Sequence, residues 1–345
     1  MRQNQIETIQ SPAAWHSQQL YDATDRWQYY VTQSDIEEID NALAHLKSCH
    51  PDSYRIHKHD FPLSRLATKL ENIAEEVENG LGIFLLRGVP LSRYNQDDLK
   101  LVYAGLIAYI GVPVPQSKAG ELIGDVGDTG KKLTDKTARG TTSRDPLPFH
   151  TDRSDVVTLF CLQQSATGGA SRVVSAIAIH NEIAKSRPDL LQLLYQPYYY
   201  ARVHWETDKK DDYYPLPIFS NYHGCFAIRY LRYFINLSQE IDSVPKMSHE
   251  QIEALNLVER LANDPNLCAD MDFEPGDIQI LNNFVSLHSR AGYENSEKKR
   301  RHLLRMWLSA HNNRPLSPDF KPLFGETKQG VIRGGVPVSI KKIEK

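Results

Sequence analysis

The chain has 345 residues, 41% of them hydrophobic and 24% charged, with a formal net charge of −3. This is the composition of a globular protein with a sizeable core, and it gives no electrostatic case for a nucleic-acid or membrane-surface partner. The longest apolar run, around Gly82–Leu86, is too short to cross a bilayer, the polar start has no signal-peptide core, and four scattered cysteines (Cys49, Cys161, Cys225, Cys268) with no CxxC pair read as reduced thiols of a cytoplasmic protein.

In chain order, residues 1–30 are polar with scattered aromatics and are expected to wrap over a core. Ser34 is expected to cap a helix running to about Ser48, with Asp35, Glu37 and Glu38 at its positive end. A second amphipathic helix, about Leu63–Asn79, carries Leu66, Leu70, Ile73, Ala74 and Val77 on one face and stops at Gly80. Gly82–Gly88 reads as a buried strand. Asn95 caps a third helix that ends by Gly111. From 112 to 145 no period is visible, and a loop this long in a compact domain suggests a lid or substrate loop.

Leu147–Asp152 and Val156–Leu162 read as strands, Thr167-Gly168-Gly169 as a turn, and Ser171–Ser175 as another strand. Residues 176–195 are helical with a break at Pro188. Val203–Trp205, Ile218–Phe219, Cys225–Tyr230 and Tyr233–Asn236 look like short strands, and Ser248 caps a helix over His249–Ala262. Met271–Phe273 and Ile278–Leu281 flank the turn Glu274-Pro275-Gly276-Asp277 as a hairpin-like unit. His302–Leu308 is the last strong strand, and a surface tail follows Asn312. Strands concentrated after residue 145, with helices before and between them, point to a mainly β fold. We expect one domain with an N-terminal helical buttress (1–80), a β-barrel or jelly-roll core (81–310) and a tail (311–345).

The chemistry centres on Pro148-Phe149-His150-Thr151-Asp152. Residues i and i+2 of a strand face the same side, so His150 and Asp152 can aim at one point. An imidazole and a carboxylate are two-thirds of a ferrous-iron facial triad, which takes one more histidine and leaves positions open for substrate and O2. Among thirteen histidines, His288 stands out by following the turn–strand unit 275–283. On its own it reads as a satisfied surface histidine. Further on, Arg301, Leu303, Arg305 and Trp307 share one face of a strand, while His302, Leu304, Met306 and Leu308 share the other. Two arginines on an apolar interior face need anions, and a guanidinium fork suits a carboxylate.

The ordered set Gly82–Gly88, His150-x-Asp152, Thr167-Gly168-Gly169-Ala170-Ser171, Pro275-Gly276-Asp277, Asn283 to His288 and Arg301–Arg305 resembles the taurine dioxygenase / 2,4-dichlorophenoxyacetate dioxygenase (TauD/TfdA, clavaminate-synthase-like) family of iron(II)- and 2-oxoglutarate-dependent oxygenases. These motifs span about residues 80–310. The resemblance implies a double-stranded β-helix (cupin-like jelly roll). It implies His150, Asp152 and His288 as catalytic iron ligands, and Arg301 with Ser171 at the distal carboxylate of 2-oxoglutarate. Ser171 stands where the family usually has threonine and keeps the hydroxyl. The implied reaction consumes 2-oxoglutarate and O2, releases succinate and CO2, and hydroxylates a small organic acid or amino-acid-like metabolite. The carboxylate at Asp152 argues against halogenation.

Arg305 has two readings of equal weight: an anionic group of the substrate, or an internal carboxylate such as Asp152 or Asp155. Gln116, Asp128 and Tyr230, with Arg229, are further pocket candidates. A cupin-like metal sensor and a zinc hydrolase are the alternative classes. A sensor has no use for Arg301 and Ser171, and no HExxH-like motif supplies a hydrolase with its base. A homo-oligomer is left open.

Overall fold

The computed structural model describes residues 6–49, 53–132, 140–207 and 212–338. Two sheets face each other. We number their strands in chain order: β1 (Gln28–Tyr30), β2 (Ile83–Arg87), β3 (Gly111–Val114), β4 (Ile123–Gly127), β5 (Leu147–His150), β6 (Val156–Gln163), β7 (Ser171–Ser175), β8 (Cys268–Met271), β9 (Ile278–Asn282), β10 (Ser286–Arg290) and β11 (His302–Ala310). The seven-stranded sheet runs β1-β2-β9-β6-β11-β3, with β4 also paired to β11, and the four-stranded sheet runs β8-β7-β10-β5. Apart from β1, which lies parallel to β2, the pairings are antiparallel. This is the jelly-roll core expected from the strand distribution.

Period-two alternation builds the layers. On β2, Ile83 and Leu85 face the space between the sheets, and Phe84 and Leu86 pack outward. The outward residues meet helices Gln33–Ser48, Arg65–Asn79 and Gln96–Ile107. Leu66, Leu70, Ile73, Ala74 and Val77 are all buried there, as the amphipathic spacing requires. A second helical layer, Ala176–Ser186, Pro188–Leu194 and His249–Ala262, covers the outer face of the four-stranded sheet against Val174 and Leu287.

Several local expectations are corrected. The first helix begins at Gln33, because Thr32 closes a capping box with Asp35 and Ser34 is already inside the helix. Stretch 112–145 is not structureless, since β4 and most of β3 lie within it and pair with β11. Residues 133–139 of that stretch lie outside the described residues. Residues 203–205 form no strand, Tyr233–Asn236 lies within helix Arg232–Ser238, and the ribbons there are Pro197–Ala201 with Tyr213–Pro217 and Phe219–Tyr222 with Cys225–Ile228.

The turn 274–277 joins the two sheets rather than closing a hairpin: β8 pairs with β7, and β9 pairs with β2 and β6. Gly276 (φ 98°) lies so close to Val89 O that a Cβ there would meet it at 2.4 Å. The segment after Asn312 is no surface tail either. Leu316, Phe320, Leu323 and Phe324 join the core, and buried Arg333 donates from Nε to Asp155 Oδ1 at 2.7 Å.

Candidate active site

Register brings the two histidines together. β10 pairs with β5 so that His288 stands directly opposite His150, and their ring centroids are 4.3 Å apart. The alternation that turns Leu287 outward into the helical layer turns His288 inward. β5 ends at His150, so Asp152 sits in the loop beyond the strand rather than on it. Its backbone is fixed instead by hydrogen bonds. Thr151 N donates to Tyr230 O at 2.9 Å, and Asp152 N donates to Asn283 Oδ1 at 2.9 Å. The Thr151 hydroxyl accepts from Tyr230 N at 3.2 Å.

His150, Asp152 and His288 each offer a ligand atom, all within 4.8 Å of one another, and all three residues are buried. The atoms suit a metal. His150 Nδ1 donates to Pro148 O at 2.9 Å, which leaves Nε2 as the free lone pair. Asp152 Oδ2 is buried without a hydrogen-bond partner and lies 3.6 Å from His288 Nε2. Burial, reinforced by the neighbouring His288, pushes the His150 pKa down to about 3, so the imidazole is neutral and able to ligate at physiological pH. Burial alone would raise the Asp152 carboxyl, but Arg305 and the two histidines hold it well below the usual carboxylate range. Two imidazoles and a carboxylate on one face are the donor set of a ferrous facial triad.

Arg301 immediately precedes β11, and the phase of the strand is as expected. Leu303 and Trp307 point between the sheets, while Leu304, Met306 and Leu308 pack against the helices. Arg301 is buried, its Nη1 has no partner, and burial together with nearby Arg290 pushes its pKa down to about 10. Gly169 gives it room, because a Cβ there would lie 3.2 Å from Arg301 Nε. Ser171 is buried in the same cavity, with its hydroxyl 3.1 Å from Gln279 Nε2.

Arg290 escaped sequence reasoning. It faces Ser171 directly across the β7–β10 pair and stacks on the same Tyr293 ring as Arg301, at 4.9 and 5.3 Å. Its two-residue spacing from His288 was the available signal.

Arg305 also lines the cavity. Its Nε donates to Gln116 Oε1 at 2.7 Å, its Nη1 lies 3.6 Å from Asp152 Oδ2, and its guanidinium sits 4.9 Å from the Trp307 ring. Asp155 is not its partner, being taken by Arg333, Asn313 and the Ala310 amide. Gln116, Asp128 and Tyr230 are not on the cavity wall. Gln116 is buried behind Arg305, Asp128 accepts from Gly130 N, and the Tyr230 hydroxyl donates to Leu255 O in the helical layer. Arg229 does line the cavity, with its Nη1 donating to Thr151 O at 2.8 Å, so it braces the loop that carries Asp152.

The model of the "Taurine catabolism dioxygenase TauD, TfdA family" matches residues 45–307, most of the chain. The chain belongs to this family. It is an iron(II)- and 2-oxoglutarate-dependent oxygenase, and the metal-type triad above fits that class. Its relatives include FR-33289 synthase of Streptomyces rubellomurinus, 29% identical over 90% of this chain and 94% of that protein. Another is the taurine hydroxylase-like protein SAT17 of Stachybotrys chartarum, 27% identical over 85% and 77%. Among solved structures, asparagine oxygenase with Fe(II), hydroxyasparagine and succinate superposes with a TM-score of 0.64 at 16% identity, covering 82% of this chain and 93% of that one. The non-heme iron oxygenase OrfP with Fe and alpha-ketoglutaric acid superposes at 0.59 and 17%, covering 82% and 94%. At such identities these two structures support the fold.

Proposed function

We propose that this TauD/TfdA-family oxygenase hydroxylates a small, anionic, amino-acid-like metabolite, with His150, Asp152 and His288 holding the iron and Arg301 with Ser171 holding the distal carboxylate of 2-oxoglutarate. The bound iron with 2-oxoglutarate and O2 supplies the oxidation of a substrate C–H bond to an alcohol, with succinate and CO2 as coproducts.

The charge of the cavity supports an anionic substrate. Its described lining holds five arginines (Arg153, Arg229, Arg290, Arg301 and Arg305) against two carboxylates, Asp152 and Glu206. Iron(II) and the 2-oxoglutarate dianion cancel one another, so an excess of positive charge remains for the substrate to neutralise. Arg305 is set for this, being aimed by Gln116 from behind with its Nη side toward the cavity. The cavity holds about 310 Å³, the scale of a small metabolite. Among the structural neighbours, asparagine oxygenase holds hydroxyasparagine and OrfP holds hydroxyarginine.

We read residues 1–345 as one catalytic domain. Among the described residues no helix is long and apolar enough to cross a membrane. The four cysteines are free, and we place the protein in the cytoplasm on that ground.

The single observation that carries the reading is the buried His150–Asp152–His288 cluster beside two arginines, Arg290 and Arg301, that have no carboxylate partner among the described residues. The test is succinate release from 2-oxoglutarate by the iron-loaded enzyme. His150→Ala, Asp152→Ala and His288→Ala are each expected to abolish it, and full activity in His288→Ala would overturn the ligand assignment.

A further inference from the structure

Arg153 and Glu206 lie on the cavity wall, outside the triad and the Arg301 site. Their side chains are only 5% and 4% exposed. They face each other at 3.7 Å, Nη1 to Oε1, which is an ion-pair distance too long for a hydrogen bond. Arg153 Nε and Nη1 and Glu206 Oε2 are all buried without a hydrogen-bond partner. Beside them Arg229 presents a third unpartnered donor, Nε.

A structural ion pair looks different in this same protein. The Asp155 carboxylate takes Arg333 Nε at 2.7 Å on one oxygen, and Asn313 Nδ2 at 2.9 Å and Ala310 N at 3.1 Å on the other. Glu78 is closed onto Arg314 at 2.5 Å and accepts from Asn282 at 3.0 Å. Buried charges left open, as Arg153 and Glu206 are, carry an unmet cost that a ligand removes.

The two groups are complementary to one kind of head group. A guanidinium fork takes a carboxylate or similar oxyanion, and a carboxylate takes an ammonium. Held 3.7 Å apart, they suit an anion and an amine on one small unit. We propose that Arg153 and Glu206 form a head-group subsite for a zwitterionic substrate, with its anionic group on Arg153 and its protonated amine on Glu206. This rests on the oxygenase reading above and names the substrate class for it: an amino acid, with Arg305 left for a further acidic group near the iron ligands. Trp205, Leu231 and Phe234 supply the apolar wall of the same cavity.

The test uses the full chain loaded anaerobically with iron(II) and 2-oxoglutarate. The protein amino acids, 2-aminoadipate and their deaminated counterparts are titrated in, and binding is read from the change each causes in the visible band of the iron–2-oxoglutarate complex. At least one amino acid is expected to bind about tenfold or more tightly than its deaminated partner. Glu206→Gln should erase that preference while leaving the band and the affinity for the deaminated acid unchanged. Arg153→Gln should weaken both ligands. The wild-type ratio alone decides the ligand class, whatever the variants do. Equal affinity for the two series, a preference retained in Glu206→Gln, or a normal band that no amino acid perturbs would overturn the subsite while leaving the oxygenase reading intact. Failure of the wild type to form any band would overturn the oxygenase reading and the subsite with it.

Discussion

Asn283 uses both ends of its amide on the loop that carries Asp152. Oδ1 accepts from Asp152 N at 2.9 Å, Nδ2 donates to Ser154 O and Oγ at 3.1 Å, and its own backbone N donates to Asp155 O. It is 1% exposed, so bulk water does not reach these contacts. Asn283→Ala leaves the Asp152 amide and the Ser154 carbonyl unpaired, a loss of about 1–3 kcal/mol in stability. It also frees the carboxylate from its orientation, which should weaken metal binding roughly 10- to 100-fold. Denaturation of the metal-free variant and a cobalt(II) or iron(II) titration read the two effects separately. Unchanged metal affinity would mean that Asp152 is held by its neighbours without Asn283.

At this scale the sequence revealed residue types better than partners. His150, Asp152 and His288 could be picked out from a spacing and a motif order, because metal ligation restricts side-chain chemistry so strongly. Arg305 could not be resolved between substrate and Asp152. Its orientation depends on Gln116, which reaches it across 189 positions of sequence and left no local trace. Arg153 and Glu206 went unnoticed for the same reason, since an open ion pair between distant residues has no periodic signature.

Among the elements, helix Ala176–Ser186 carries a titrating group into the core. His180 is 0% exposed and edge-on to the rings of Tyr195, Phe219 and Phe226. Its Nδ1 donates to Asn181 Oδ1 at 3.1 Å, and its Nε2 accepts from the Tyr195 hydroxyl at 2.9 Å. Burial pushes its pKa below the ordinary value of about 6.5. The unfolded chain therefore binds a proton below that pH that the folded chain refuses. The stability this histidine permits is full above about pH 6.5 and is lost as pH falls. His180→Phe fills the same aromatic slot without the proton. Urea denaturation of both proteins at pH 7.5 and pH 5 should show a smaller loss in the variant, by up to about 1.4 kcal/mol per pH unit. Equal losses would mean that His180 is already charged in the folded protein.

Helices were legible where an apolar stripe coincided with a capping residue, as at Asn95 and Ser248, whose side chains cap Gln96–Ile107 and His249–Ala262. The middle of the chain was less so. β3 and β4 carry Gly, Pro and Asp, and they are strands because β11 supplies their hydrogen bonds, which is a property of the partner rather than of their own residues.

The whole molecule is two sheets with helices stacked on both outer faces, and its site lies in the gap between the sheets. Sequence order gave the jelly roll because the motifs fall on its strands in turn. It did not show that turn 274–277 crosses between sheets, nor that residues 313–336 seal the core with Phe320, Phe324 and Arg333. Both depend on contacts made only after the sheets have closed.

The claim that organises the molecule is that this gap holds iron(II) with 2-oxoglutarate. The measurement that tests it most directly is an anaerobic titration of the apoprotein with iron(II) and then 2-oxoglutarate, followed through the weak visible charge-transfer band of the chelate. The expected result is a band that saturates at one equivalent of iron, fails to form in Asp152→Ala, and needs far more 2-oxoglutarate in Arg301→Ala. No band in the wild type, with tight binding of zinc alone, would contradict it and leave the family fold in service of a different metal chemistry.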